Sequence, residues 1–194
     1  MIITITGRSG SGKSLVAKIL TDIGNAYYID IDKIGHEIIE REEIKSQLQQ
    51  EFDLHLTKEG KINRKELSQK VFSNKAQMKI LEEITWTSME REIDKQININ
   101  QEKLIILDWI QITKTKYFKQ SKLNILVEAP FEIRLKRGVE RDKISKMKFL
   151  EREQAAPKLI EQDYDIVIMN TKGKTELQKQ VKEIYEQSII SREF

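Results

Sequence analysis

The sequence predicts an α/β fold built on a parallel sheet, and three observations carry that expectation. Short β-branched, apolar runs alternate with helical segments along the 194 residues. The first such run passes through a glycine-rich turn directly into a helix. Two further runs close on an acidic residue, Asp30 and Asp108, the pattern of buried strands whose carboxyl ends face a ligand.

Residues 2–6, Ile-Ile-Thr-Ile-Thr, have the composition of a buried strand. Residues 7–14, Gly-Arg-Ser-Gly-Ser-Gly-Lys-Ser, fit G-x-x-x-x-G-K-[ST] at every fixed position. The following Leu15 to Leu20 have helical apolar spacing, so the motif sits between a strand and a helix, the context that confirms it. Phosphate groups need donors packed closer than side chains permit. The backbone N–H groups of Gly7, Ser9, Gly10, Ser11, Gly12, Lys13, Ser14 and Leu15 are expected to supply them at a helix N-terminus. Lys13 reaches the β- and γ-phosphates, and the Ser14 hydroxyl binds Mg²⁺.

The first helix is expected to end near Ile23 and Gly24, with Gly24 as the C′ residue. A second strand follows over 26–30, then a helical segment from about 33. Asp30 and Asp32 stand at a strand carboxyl end, where each either orients an acceptor hydroxyl and takes its proton or caps the next helix. Residues 33–102 read as helical and charged, with a break near 56–60. Asn63 is placed to cap a helix from Arg64, and a longer helix is expected from Ser73 or Asn74 to Ile93. Further strands are expected over 103–108, Leu123–Glu128 and Ile166–Met169, with a final amphipathic helix to about Ile190. Asp108 closes its apolar run where an acidic residue supports Mg²⁺ through water. Arg137 and Arg141, four apart on one helical face, are set either to clamp phosphates or to pair with Glu140 and Asp142 on the surface.

The composition narrows the function classes. With 39% hydrophobic and 34% charged residues the chain reads as a single soluble globular domain. A net charge of +3, evenly spread, gives no case for nucleic acid. There is no cysteine, which fits a reducing, cytoplasmic setting. No apolar run is long enough for a membrane span, and no leader segment is recognisable. His36 and His55 have no second ligand at metal spacing. The oligomeric state stays open, a monomer included.

Taken together in order, these residues resemble dephospho-coenzyme A kinases, among the P-loop nucleoside and nucleotide kinases. The likeness runs over nearly the whole chain. It includes the phosphate loop at 7–14, the Asp-x-Asp segment at Asp30 and Asp32, and Gly60, Arg64, Leu67, Val71, Phe72, Ser73 and Asn74. Leu81 to Thr85, Arg137-x-x-x-Arg141-Asp142, Gln154, and Asp165-x-Val167-Ile168-x-Asn170 complete it. The resemblance implies a three-layer P-loop kinase sandwich with a five-stranded parallel sheet. Its core would be about 1–32, 103–135 and 163–194, with a helical acceptor-binding part at 33–102 and a lid at 136–162. It implies ATP and Mg²⁺, Asp32 as base toward the ribose 3′-hydroxyl of dephospho-coenzyme A, Asn170 near the adenine, and Arg137 and Arg141 on the lid.

The chain departs from the family pattern mainly on the acceptor side. The usual paired glycines opening the loop become Gly7-Arg8-Ser9, and Ile-Thr-His-Pro becomes Ile84-Thr85-Trp86-Thr87. A Pro-Leu-Leu-Phe-Glu segment is replaced by residues 109–114, Trp-Ile-Gln-Ile-Thr-Lys. A lysine expected in the lid falls on Ile160, with Lys158 nearby. The leading expectation is ATP-dependent phosphorylation of dephospho-coenzyme A. The alternatives are a nucleoside or nucleoside-monophosphate kinase and a nucleotide-binding relative that transfers nothing.

Overall fold

The structure, a computed structural model, is described for residues 1–72 and 74–190. In chain order it opens with β1 (Ile2–Thr6), α1 (Lys13–Gly24) and β2 (Tyr27–Asp30). Four helices follow: α2 (Ile31–Ile38), α3 (Glu42–Phe52), α4 (Arg64–Phe72) and α5 (Lys75–Ile99). The chain returns through β3 (Ile105–Asp108), α6 (Lys116–Gln120), β4 (Leu123–Glu128), α7 (Phe131–Asp142) and α8 (Lys146–Ala155). It closes with β5 (Ile166–Met169), α9 (Lys174–Ile184) and a π-helical turn over Tyr185–Ile189. Among the described residues no helix is long and apolar enough to cross a membrane.

Two compact units emerge, one formed by Met1–Asp30 with the described chain from Asn100 on, the other by Ile31–Ile99. The first holds a five-stranded sheet in the order β2-β3-β1-β4-β5, every neighbouring pair parallel. The α/β expectation is met. Strand β1 alternates cleanly: Ile3 and Ile5 join Val16 and Leu20 of α1 and Leu177 and Val181 of α9 in one core. Thr4 and Thr6 on the opposite face are equally buried, and Thr4 shares the side chain of Asn124 with Ser121, just after α6. Burial on both faces explains why these strands read as continuous apolar runs.

The connections set where a ligand belongs. From β1 the chain crosses to β2 on one side of the sheet, and from β3 it crosses to β4 on the other. The crevice between the carboxyl ends of β1 and β3 is therefore the topological switch point. Ile5 lies opposite Asp108 there.

In the second unit, α2, α3 and α4 each pack on α5. Between α3 and α4 the chain makes an antiparallel bridge of Leu56 with Ile62, the break expected near 56–60. Asn63 accepts from the Glu66 N–H at 3.3 Å and caps α4 as expected. Three details differ from the sequence reading. The left-handed residue after α1 is Asn25, at φ 46°, and not Gly24, which ends the helix. Helix α2 starts at Ile31 rather than near 33, directly from β2. Helix α5 starts at Lys75, capped by Asn74, whose side chain accepts from Ala76 N–H at 2.9 Å, and it runs on to Ile99 instead of ending at Ile93; Ser73 lies outside the described residues.

Candidate active site

The glycine loop spans the gap between Thr6 and Lys13. Gly10 and Gly12 have φ of +80° and +98°, a region that L side chains rarely adopt. Space forbids a side chain as well: a Cβ on Gly10 would meet the backbone of Arg134 and one on Gly12 the side chain of Asn170. Gly12 precedes α1 and supplies no side-chain cap to its first turn, and a helix N-terminus favours negative charge. The loop closes on itself through Ser11 N–H to Arg8 O at 3.0 Å. Asn170, 5% exposed, donates from Nδ2 to the Ser11 carbonyl at 2.8 Å.

The carboxylate of Asp108, 1% exposed, gathers three donors. Lys13 Nζ lies 2.9 Å from its Oδ1, and Ser14 Oγ and Tyr28 Oη each donate to its Oδ2 at 2.9 Å. The motif and the acidic strand end, 94 residues apart, thus share one carboxyl group. Burial, reinforced by the negative charges of Asp108 and Asp30, pushes the Tyr28 phenol far above its ordinary pKa, so it stays a proton donor. Asp30 ends β2 directly opposite Asp108 in the sheet register. Asp32 belongs to the other unit, exposed in the first turn of α2.

Helix α7 brings a stripe of arginines. Arg137 donates to the Asn170 carbonyl at 3.2 Å, and Arg141 reaches Ser9 Oγ at 3.3 Å. Arg141 also pairs with Asp142 at 2.7 Å, and Arg152 of α8 joins the same carboxylate at 2.7 Å. The hydrogen bond from Arg141 holds the Asp142 carboxyl below the usual range. Of the two readings open for the pair, Arg141 shows the pairing with Asp142 and also reaches Ser9 of the loop, while Arg137 turns to the backbone of Asn170. One turn before Arg137 stands a third arginine that the sequence reading passed over. Arg134 is 7% exposed and grips Glu153 of α8 through two bonds of 2.8 Å, its Nε donating to Ala129 O. Arg8 of the loop joins Glu153 at 2.6 Å. Burial works against ionisation of Glu153, but the two guanidiniums outweigh it and hold its carboxyl low.

The sequence held a partial signal for Arg134. Residues 134, 137 and 141 are spaced i, i+3, i+7, which puts all three on one face of α7. For Tyr28 the signal was alternation, since Tyr28 and Asp30 share a face of β2. Nothing local pointed to Glu153.

A family model described as dephospho-CoA kinase matches residues 1–188. A dephospho-CoA kinase of Aquifex aeolicus (strain VF5) is 33% identical over 191 residues, covering 95% of this chain and 96% of the relative. A crystal structure from Thermus thermophilus aligns with a TM-score of 0.82 at 26% identity, over 97% of both chains. A dephospho-CoA kinase from Campylobacter jejuni aligns with a TM-score of 0.61 at 27% identity, over 96% of each. With the phosphate loop, the parallel sheet and the matched length in agreement, the chain belongs to the dephospho-CoA kinase family.

Proposed function

We propose that this protein transfers the γ-phosphoryl group of ATP to the ribose 3′-hydroxyl of dephospho-CoA, giving CoA and ADP. The observation that carries the reading is the convergence of Lys13, Ser14 and Asp108 beside an uncapped helix start at the switch point of the sheet. The bond between the γ-phosphorus and the β,γ-bridging oxygen breaks, a bond from phosphorus to the acceptor oxygen forms, and the hydroxyl proton leaves to a base.

The loop N–H groups and the α1 dipole hold the phosphates, and the Lys13 ammonium follows the charge that builds on the bridging oxygen. Asp32 is the proposed base for the acceptor hydroxyl. Helices α7 and α8 form the proposed lid, with Arg137 and Arg141 countering charge on the transferred group and excluding water. Asn170, which braces Ser11, is assigned to the adenine side. The unit Ile31–Ile99 is assigned to acceptor binding.

The all-oxygen set of Ser14 and Asp108 fits Mg²⁺, which is ordinarily bound by one or two protein oxygens together with substrate phosphates and water. When bound, Mg²⁺ neutralises phosphate charge; Ser14 would hold it directly and Asp108 through water. The absence of cysteine fits a reducing compartment, and the cytoplasm is the proposed location.

The test is ADP release from Mg²⁺·ATP with dephospho-CoA, against no acceptor and against a panel of nucleosides and nucleoside monophosphates. Stimulation by dephospho-CoA alone is expected. Stimulation by a nucleoside or monophosphate instead would reassign the acceptor and make the replaced segments at Trp86 and 109–114 marks of a changed acceptor pocket. Nucleotide binding without transfer to any acceptor would make the chain a non-catalytic relative.

A further inference from the structure

The three donors on Asp108 are not equivalent. Lys13 is mobile, with four side-chain bonds to rotate, and the phosphates are its working partner. Ser14 must offer an oxygen lone pair to the cation. Tyr28 alone is not needed by the nucleotide. Its ring packs against the core of the first unit, its backbone lies in β2 beside β3, and its hydroxyl ends 2.9 Å from Oδ2. When Lys13 swings to the phosphates, Oδ1 loses that donor, and the carboxylate is held through Oδ2. A tyrosine ring has two side-chain torsions and loses little entropy in holding its hydroxyl there, so it is a stiff anchor.

We propose that Tyr28 is a positioning residue of the phosphoryl-transfer site, its hydroxyl keeping the Asp108 carboxylate aimed at Ser14 and the divalent cation after Lys13 has moved to the phosphates. The inference rests on the phosphotransfer reading. It adds a residue that the glycine motif does not contain. Its action passes through Asp108, so its removal affects the cation before it affects nucleotide binding.

Tyr28→Phe keeps the ring and removes only the donor. Partners that orient metal ligands are worth about 10- to 100-fold in metal affinity. Accordingly, Mn²⁺ affinity of the ADP complex, followed by electron paramagnetic resonance, should fall about ten-fold. The Mg²⁺ concentration for half-maximal turnover should rise in parallel. ADP affinity without metal should stay at the wild-type value, while the melting temperature falls by a few degrees because the buried Asp108 carboxylate loses one donor. Tyr27→Phe, on the neighbouring strand position, should change none of these. In an Asp108→Asn background, Tyr28→Phe should add nothing further, because its route is gone.

Wild-type Mn²⁺ affinity in Tyr28→Phe, or a full additional effect on top of Asp108→Asn, overturns the inference. A loss of metal-free ADP binding equal to the loss of Mn²⁺ affinity also overturns it, in favour of a general packing role. If the wild-type protein bound no Mg²⁺·ADP at all, the phosphotransfer reading would fall and this inference with it. Normal wild-type binding with an unchanged Tyr28→Phe removes this inference alone.

Discussion

At Asp108 a buried carboxylate meets an ammonium and two hydroxyls, and its cost of burial is offset only while those donors stay in place. Lys13→Ala removes the one positive charge among them. Turnover should fall by about 10²- to 10³-fold or more, the scale for losing a preorganised transition-state donor. The loss should exceed that of Asp32→Ala, because phosphoryl transfer depends more on positioning and charge than on a base. Steady-state kinetics of the two variants checks the order, and a Lys13→Ala enzyme with wild-type kcat would remove the site from consideration. Glu153 offers a separate test. Its carboxyl pKa is depressed in the folded state, so the stability it provides is present above the unfolded-state value and is lost as pH falls through the folded one. Glu153→Gln should therefore cost on the order of 3 kcal/mol near neutral pH by leaving the buried Arg134 without its anion. The gap from wild type should narrow as pH drops below about 4. Chemical denaturation at several pH values reads both effects, and a pH-independent gap would deny the ion pair its role.

On the scale of elements, the glycine loop and α7 depend on each other. Gly10 has positive φ, and a Cβ there would run into the backbone of Arg134. Gly10→Ala should cost about 1–3 kcal/mol from backbone strain alone and push the loop away from α7. A drop in melting temperature together with weaker ADP binding in calorimetry is expected. A stable variant with unchanged binding would mean the loop tolerates another path. In α7, Arg137 and Arg141 stood out through their i, i+4 spacing, which shares a face only if the segment is helical, as it is. Its buried arginine did not stand out. Charge is a surface property in sequence statistics, and only the approach of α8 with Glu153 makes burial of Arg134 affordable.

For the whole molecule, ligand binding and stability are linked. Mg²⁺·ADP at a hundred times its Kd should stabilise the native state by about 2.7 kcal/mol. That corresponds to a rise in melting temperature of roughly 5–10 °C for a chain of this size. Differential scanning fluorimetry reads the shift; Lys13→Ala should lose most of it, and the absence of any shift in the wild type would contradict nucleotide binding. The sequence by itself determined the α/β class, the phosphate loop and the family: a strand, a turn and a helix carry their own periodicity and their own donors, and the family is written in short motifs that keep their order along the chain. The order β2-β3-β1-β4-β5, the meeting of Lys13, Ser14 and Tyr28 on Asp108, and the clasp of Arg8 and Arg134 on Glu153 were decided only in the tertiary structure. Apart from Arg134 and Glu153, which are 19 residues apart, they join side chains 80 to 145 residues apart, as with Tyr28 to Asp108 and Arg8 to Glu153. Strand register and helix packing set such pairings, and no local periodicity records which distant strand or helix will lie alongside.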